Sequence, residues 1–334
     1  MSNTKLNFNN IDNFNLLNIN KLSQIIRNFD KISIKEIEPM TRFVNKNIFE
    51  EDLSIVVDEL VNLIFKGLNK GKNGKLLKLQ VLNCINNYKI VLQEIYNWLL
   101  NNQNDSNSTY LLGYFSCHGI GTDSNNQKAI ELYQKAAELK NSIAQFNLIN
   151  VYIFGDGVNK NYDSAFKLSK QLAEQEYAYG INSLGYCYDK GIGTEINEQK
   201  AFELYQKAAE LGNFSGINNL GWCYNEGIGT DINKQKAFEL YQKAAELGSS
   251  SGISNLGWCY DEGIGTNVDK QKAFELYQKA ANLESGAAQY SLACMYEIGD
   301  GIEKDISQAI YWYKKSAEQG DEDAQNKLEE LNHE

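Results

Sequence analysis

Proline, histidine and long apolar runs are all scarce in this chain of 334 residues. Pro39 is its one proline, and because proline interrupts helices and marks linkers, this scarcity favours a helical chain with few linkers. The two histidines, His118 and His333, are few for imidazole acid–base catalysis or imidazole metal sites. The most apolar stretch, residues 90–100, is broken by polar side chains, so no membrane-spanning segment is expected.

Sequence signatures of catalysis and cofactor binding are missing as well. Residues 71–75 read GKNGK and resemble a phosphate-binding loop, but the full G-x-x-x-x-G-K-[ST] pattern fails because Leu76 follows Lys75. The six cysteines include no C-x-x-C pair, which disfavours a zinc site, and no protein-kinase motif occurs. We therefore predict a protein without catalytic residues, metal or cofactor. The N-terminal MSNTKLNFNN lacks an apolar core, so we expect an intracellular, cytoplasmic location.

Negative charge is concentrated in the second part of the chain. The net charge is −11; residues 1–107 carry 13 basic and 11 acidic side chains, and residues 108–334 carry 19 basic and 32 acidic ones. Nucleic acids and anionic membranes need compensating positive charge, so both are poor partners for this region.

A repeat of 36 residues determines the architecture. One leucine recurs at this interval, as Leu112, Leu148, Leu184, Leu220, Leu256 and Leu292. Six copies without insertions occupy residues 105–320, and residues 321–334 are expected to form a C-terminal capping helix that resembles the start of a seventh copy. A repeat of this length indicates an array of supersecondary units that bury their cores against one another.

Each copy is predicted to contain two helices joined by a sharp turn. In the third copy, Gly180, Leu184 and Tyr188 share one helical face, and Gly191 is expected to end that helix in the left-handed conformation. Asn197 is a good N-cap for the second helix. The cap positions of the second helices are Asn125, Asn161, Asn197, Asn233, Asp269 and Asp305, and Tyr177 is the one exception among the first-helix caps.

These residues resemble the Sel-1-like repeat family, a relative of the tetratricopeptide repeats. The third copy carries the motif as Leu184, Gly185, Tyr188, Gly191, Gly193, Lys200, Ala201, Tyr205, Lys207, Ala208 and Ala209. The resemblance covers about two-thirds of the chain and implies an all-α, right-handed α-solenoid that serves as an adaptor for other proteins. The second copy departs most, with Ile149, Ser169 and Leu172 at motif positions.

The first 104 residues have no such repeat. Residues 1–18 are rich in asparagine and are expected to be disordered, and helices are expected at about 20–29, 49–67, 75–86 and 88–101 within residues 19–104. This N-terminal helical extension either covers the open end of the solenoid or forms a separate interaction domain.

The concave face of a solenoid, lined by the first helices, is its usual binding surface. Large aromatics and carboxylates lie at positions expected to face it, which favours a partner with basic and apolar character. The candidate partner-binding residues are Asn182, Tyr186, Asp189, Asn218, Trp222, Asn225, Glu226, Trp258, Asp261, Glu262 and Glu297. The two tryptophans have an alternative role, in which they pack between adjacent first helices.

Two functional hypotheses follow. In the first, the protein is a non-catalytic scaffold or adaptor that binds a segment of a partner on the concave face. In the second, it is a regulatory subunit in signalling that docks on an enzyme such as a protein kinase through its N-terminal region. A third, adaptor work in endoplasmic-reticulum protein degradation as in one branch of the family, is disfavoured because no signal or membrane segment is apparent.

Overall fold

The computed structural model describes residues 50–70, 74–155 and 157–332, which belong to one compact unit, residues 49–334. The expected disorder of residues 1–18 and the expected helix at 20–29 lie outside the described residues. Over the described part of the chain the protein is an α-solenoid built from helix pairs, as the sequence predicts.

Among the described residues, three helices precede the repeats: α1 (Glu50–Lys70), α2 (Gly74–Asn87) and α3 (Leu92–Asn101). The six repeats supply the next twelve helices in pairs: α4 (Ser106–His118) and α5 (Asn126–Glu138), α6 (Ser142–Phe154) and α7 (Tyr162–Glu174), α8 (Ala178–Lys190) and α9 (Glu198–Glu210), α10 (Phe214–Glu226) and α11 (Lys234–Glu246), α12 (Ser250–Glu262) and α13 (Lys270–Asn282), α14 (Gly286–Ile298) and α15 (Ile306–Ala317). A final helix, α16 (Glu322–Asn332), packs against α15.

Local side chains set the ends of each helix, as the sequence predicts. The Asn197 side chain accepts a hydrogen bond from the backbone N–H of Lys200, which satisfies one of the unpaired donors at the start of α9. Gly191 ends α8 with a φ of 68°, in the left-handed region that side chains with a Cβ seldom adopt. Tyr177 makes no side-chain cap bond, in agreement with its status as the exception.

Neighbouring repeats are joined by aromatic contacts that recur along the solenoid. The ring of Phe202 in α9 meets that of Tyr224 in α10 edge to face, with centroids 5.4 Å apart. Lys236 of α11 places its ammonium group 4.2 Å from the centre of the Tyr224 ring. The same edge-to-face contact joins Phe166 to Tyr188, Phe238 to Tyr260, and Phe274 to Tyr296. Each repeat therefore completes its core with the next one.

Helix α3 takes the place of a second helix before the first repeat. Gly193 packs so closely on α7 that a Cβ there would lie 2.4 Å from Tyr162 O. The equivalent Gly121 faces α3 at a longer distance, since a Cβ there would lie 3.3 Å from Leu92 O. The first repeat has Ser116 where later repeats have the stacking tyrosine, and the Lys128 ammonium group instead lies 5.8 Å from the ring centre of Tyr96 in α3. The chain thus provides its own neighbour for the first repeat.

Candidate functional site

First helices of successive repeats contact one another, α6 with α8, α8 with α10 and α10 with α12, which places them on the inner side of the solenoid. We call the surface that these helices turn away from the second helices the concave face. One row of side chains marks it from repeat to repeat: Tyr114, Asn150, Tyr186, Trp222, Trp258 and Cys294.

Helices α1 and α2 fill the concave face of the first three repeats. Phe65 of α1 meets the rings of Tyr177 and Tyr179 edge to face, at 5.5 and 6.1 Å between centroids. Leu60 and Ile64, on the same helix, are completely buried. The N-terminal extension therefore contributes an apolar filling to this part of the solenoid.

Polar contacts fix α1 along its length. Near its middle, Asp58 accepts a hydrogen bond from the Asn107 side chain of the first repeat, at 2.9 Å. Near its C-terminus, the backbone oxygen of Asn69 accepts one from the Asn213 side chain of the fourth repeat, at 2.8 Å. Helix α1 thus extends along the first helices from the first repeat to the beginning of the fourth.

A cavity of about 310 Å³ remains between α1–α2 and the first repeats. Its lining includes Ile64, Leu77, Tyr114 and His118. The His118 ring stacks on Tyr114, with centroids 4.1 Å apart, and burial lowers the pKa of this histidine. The imidazole is therefore a neutral packing group at neutral pH.

Beyond this filled part, Lys75 of α2 reaches Glu284 in the turn after α13 through an ion pair, and the concave face is exposed at Trp222. Trp222 is 40% exposed, and its ring centroid lies 6.4 Å from that of Trp258 at an interplanar angle of 39°. Trp258 is partly buried and also packs against the core of the fifth and sixth repeats. Trp222 therefore suits the role of a binding residue better, and Trp258 suits the role of a packing residue better, since Trp222 has the larger exposed surface.

Carboxylates stand beside the tryptophans. Glu226 and Glu262 follow Trp222 and Trp258 by four residues, one helical turn later on the same face, and both are exposed. Each of the helices α10 and α12 therefore carries an aromatic ring and, one turn later, a negative charge near its C-terminal end.

The second predicted acidic row is engaged within the protein. Asp261 accepts a hydrogen bond from the Lys270 ammonium group at 2.6 Å, and Asp300 pairs with the same lysine at 2.8 Å, which together raise the lysine pKa. The equivalent Asn225 is completely buried and accepts a hydrogen bond from Lys234. These two side chains come three residues after the tryptophans and pair with lysines at the start of the second helices.

Asp189 and Glu297, the first and last candidates of that row, also have partners within the protein. Asp189 lies 3.5 Å from the Tyr205 hydroxyl and pairs with Lys190, and Glu297 accepts hydrogen bonds from the Tyr313 hydroxyl and from Lys327. Asp189, Asn225, Asp261 and Glu297 are therefore engaged by hydrogen bonds or ion pairs within the protein.

Two asparagine pairs join successive first helices, and Asn182 of the first pair lines the cavity beside α1 and α2. The Asn219 side chain donates to the Asn182 side chain at 3.0 Å, and Asn255 donates to Asn218 at 2.9 Å, so each bond joins two successive first helices. Sequence reasoning identified Asn182 and Asn218 but missed Asn219 and Asn255, although those two also recur at the 36-residue interval. Tyr186 is partly buried and packs against the same core cluster as Phe65.

In the part of the chain that the structure describes, no group of three or more histidine, cysteine, aspartate or glutamate side chains is arranged to hold a metal ion. None of the helices in the same residues combines the length and the apolar character needed to cross a bilayer.

Comparison with known proteins identifies the repeats. The family model described as Sel1 repeat matches six successive segments: residues 106–141, 142–177, 178–213, 215–249, 250–285 and 286–321. None of the curated proteins matches the chain.

Several solved structures are similar. A Sel1 repeat protein from Oxalobacter formigenes shares 30% identity over 67% of this chain and 91% of its own, with a TM-score of 0.56. The protective antigen c5321 of uropathogenic Escherichia coli, which displays an SLR fold, shares 29% identity over 85% of this chain and 59% of its own, with a TM-score of 0.49. Cysteine rich protein B of Helicobacter pylori shares 33% identity over 40% of this chain and 96% of its own, with a TM-score of 0.33.

Proposed function

The chain belongs to the Sel1 repeat family, and we propose from this that it is a non-catalytic scaffold that binds a segment of a partner protein on the open part of its concave face. Sel1-repeat solenoids generally act as protein–protein interaction scaffolds. The observation that carries the proposal is the exposure of Trp222 beside Trp258, in the half of the face that α1 and α2 leave open.

The chemistry of this surface favours a basic partner with some apolar character. Exposed tryptophan attracts both apolar side chains and cations, and a cation held over an indole ring contributes about 0.5–1 kcal/mol at exposed sites. Glu226 and Glu262 add carboxylates one turn from the rings, within a region whose net charge is strongly negative. The binding surface that we propose therefore comprises Asn218, Trp222, Glu226, Trp258 and Glu262, whereas Asn182 and Tyr186 border the part that α1 and α2 cover.

A defined peptide tests this proposal without knowledge of the natural partner. We choose a capped dodecapeptide of four Lys-Val-Thr triplets, here named the KVT peptide, with a Glu-Val-Thr peptide of equal length as its acidic counterpart. Titration calorimetry should show binding of the KVT peptide and none of the acidic one. Trp222→Ala should weaken binding by about tenfold or more, as expected for an aromatic anchor.

The control variant is Ile232→Ala. Ile232 belongs to the same repeat and is 62% exposed, but it lies in the turn after α10, away from the tryptophans. Its loss should leave the affinity unchanged. Equal binding of the KVT peptide by wild type and Trp222→Ala would reject the tryptophan surface as the binding site.

Docking on an enzyme through the N-terminal region is the alternative. The apolar side of α1 is already used, because Leu60 and Ile64 are buried within this chain. An enzyme that recognised that side would have to displace α1 from the solenoid, whereas the tryptophan surface needs no such opening.

A further inference from the structure

We propose that the cavity between α1–α2 and the first repeats binds a small, neutral aromatic compound with hydrogen-bonding oxygens, of which a phenolic ester is the simplest example. The cavity lies apart from the tryptophan surface, so this inference adds a ligand-binding role to the proposed scaffold function. Its volume of about 310 Å³ is at the lower end of the range for small-molecule pockets, about 300–1,000 Å³. Since benzene occupies a cavity of about 150 Å³, a ligand with about twice as many non-hydrogen atoms fits.

Three buried tyrosine hydroxyls carry the argument. Tyr110, Tyr114 and Tyr179 line the cavity, and none of these side chains is more than 3% exposed. Their hydroxyl groups have no hydrogen-bond partner among the described residues, where six buried side-chain polar atoms lack one, so three of the six belong to this cavity. A buried hydroxyl without a partner is unfavourable and calls for an explanation. A ligand that accepts hydrogen bonds provides one.

His118 adds a hydrogen-bond acceptor near the mouth of the cavity. Its Nδ1 lies 3.0 Å from the backbone oxygen of Tyr114, and since a carbonyl oxygen only accepts, Nδ1 is the donor. Burial lowers the pKa of His118, and the neutral ring then has Nε2 as an acceptor. This atom lies on the side of Gly74, an exposed residue of α2 that also lines the cavity; a Cβ on Gly74 would be 3.9 Å from it.

The other lining residues favour a neutral ligand with an apolar body. Ile64, Leu77 and Phe146 provide apolar walls, and the described lining includes no aspartate, glutamate, lysine or arginine. An ion placed here would lose its hydration without gaining a counter-charge. Burial raises the pKa of Tyr114 far above its ordinary value, so its hydroxyl stays protonated and can donate. A phenolic ester can place its ring against the walls, accept from a tyrosine and donate to His118.

The second repeat provides the space for this ligand. It carries Asn150, which lines the cavity, in the row where the first, third, fourth and fifth repeats carry the aromatic residues Tyr114, Tyr186, Trp222 and Trp258. Asn150 is exposed, so a larger side chain at this position does not have to enter the core. The change Asn150→Tyr gives the second repeat the residue of its two neighbours and should narrow the cavity.

Ligand-observed NMR titration at pH 7 tests the site with three probes. Methyl para-hydroxybenzoate is the phenolic ester, para-xylene has a similar apolar body without hydrogen-bonding groups, and para-hydroxybenzoate carries a charged carboxylate in place of the ester. The first protein variant combines Tyr110→Phe, Tyr114→Phe and Tyr179→Phe, which removes the three hydroxyls and keeps the rings. Its control is Tyr241→Phe, because the Tyr241 hydroxyl is also buried without a partner but lies in α11, outside the cavity lining.

We expect the wild type and Tyr241→Phe to bind methyl para-hydroxybenzoate at least about tenfold more tightly than para-xylene, in line with one or two net hydrogen bonds. Neither protein should bind para-hydroxybenzoate. The triple variant should lose the preference for the ester, and Asn150→Tyr should weaken the binding of the ester by about tenfold or more. The phenylalanine variants should be at least as stable to denaturant as the wild type, because the hydroxyls that they lose have no partner in the free protein.

Three results would overturn the inference: no binding of methyl para-hydroxybenzoate to the wild type, equal affinity for this ester and para-xylene, or an unchanged preference for the ester in the triple variant. Should the triple variant fail to fold, Asn150→Tyr decides the question, since binding of the ester with wild-type affinity by that variant would place the ligand outside the cavity. The proposed scaffold function is tested separately, because binding of the KVT peptide depends on Trp222 and not on this cavity.

Discussion

The indole rings of Trp222 and Trp258 lie 6.4 Å apart, on first helices of successive repeats, and they do not have equal surroundings. Trp222 is 40% exposed, whereas Trp258 is partly buried against a core that includes Leu256 and Leu292. A binding anchor must be reachable in the free protein, so the pair combines an accessible ring with one that supports it.

Because the two tryptophans differ in exposure, their replacement by alanine should lower the free energy of unfolding by different amounts. Trp222→Ala should lower the free energy of unfolding by about 1 kcal/mol, because 40% of this residue is already exposed to solvent. Trp258→Ala should lower it by about 2 kcal/mol, below the 3–5 kcal/mol typical of a fully buried aromatic. Chemical denaturation followed by far-UV circular dichroism measures both. Equal losses for the two variants would show that both rings are core residues.

The N-caps allow a prediction that is independent of binding. Asn197→Ala and Asn233→Ala should each lower the free energy of unfolding by about 1 kcal/mol, since each removes the acceptor for a backbone N–H at a helix start. Gln199→Ala, an exposed change on the first turn of α9, serves as the control and should have little effect. Cap variants as stable as this control would contradict the helix boundaries.

Attachment of the N-terminal helices is tested by two isoleucines of α1. Ile64 is completely buried and Ile55 is 58% exposed. Ile64→Ala should destabilise the protein by about 2–4 kcal/mol, and Ile55→Ala by less than about 0.5 kcal/mol.

Hydrogen–deuterium exchange then locates the effect of Ile64→Ala. Exchange should become faster in residues 50–87 and in the first helices they cover, and it should stay slow in α13 and α15. Acceleration that is uniform along the chain would instead show that α1 is an inseparable part of the repeat core.

Buried thiols predict a loss of stability at alkaline pH. Burial raises the pKa of Cys223 and of Cys259 from 9.0 to about 12. The folded state therefore retains these protons at a pH where the unfolded chain has released them. The stabilisation is complete below pH 9 and is lost as the pH rises from 9 towards 12, by up to about 1 kcal/mol per thiol between pH 9 and 10.

Denaturation at pH 8.5 and at pH 10 measures this effect. The variant Cys223→Ala with Cys259→Ala should show a smaller difference between the two pH values than the wild type. An equal pH dependence in both proteins would assign the alkaline loss to other groups, among them the buried tyrosines, whose pKa values are also raised by burial.

Local sequence signals were sufficient to predict most of the fold. Asn197 and Gly191 mark helix ends through contacts within a few residues, and the 36-residue spacing transfers these boundaries to every repeat. The period of the helix also placed Trp222 and Glu226 together on one face. It did not predict that Asp261 would pair with Lys270 of the second helix.

Local sequence signals could not predict the long-range contacts. The seating of α1 depends on pairs such as Asn69 with Asn213, which are separated by 144 residues. The two asparagine pairs join residues 37 positions apart, one more than the repeat, so a comparison of equivalent positions does not reveal them. Both features arise from the way that successive first helices lie side by side, which the sequence pattern does not encode.

The central claim is that the concave face is filled over the first three repeats and open at the tryptophans. Hydroxyl-radical footprinting of the full chain with mass spectrometry tests it directly, because the oxidation of an aromatic side chain follows its accessibility to solvent. Trp222 should be modified rapidly, while Tyr110 and Tyr179, which are buried beneath α1 and α2, should be protected. Protection of Trp222 equal to that of Tyr179, or rapid modification of Tyr179, would contradict the account.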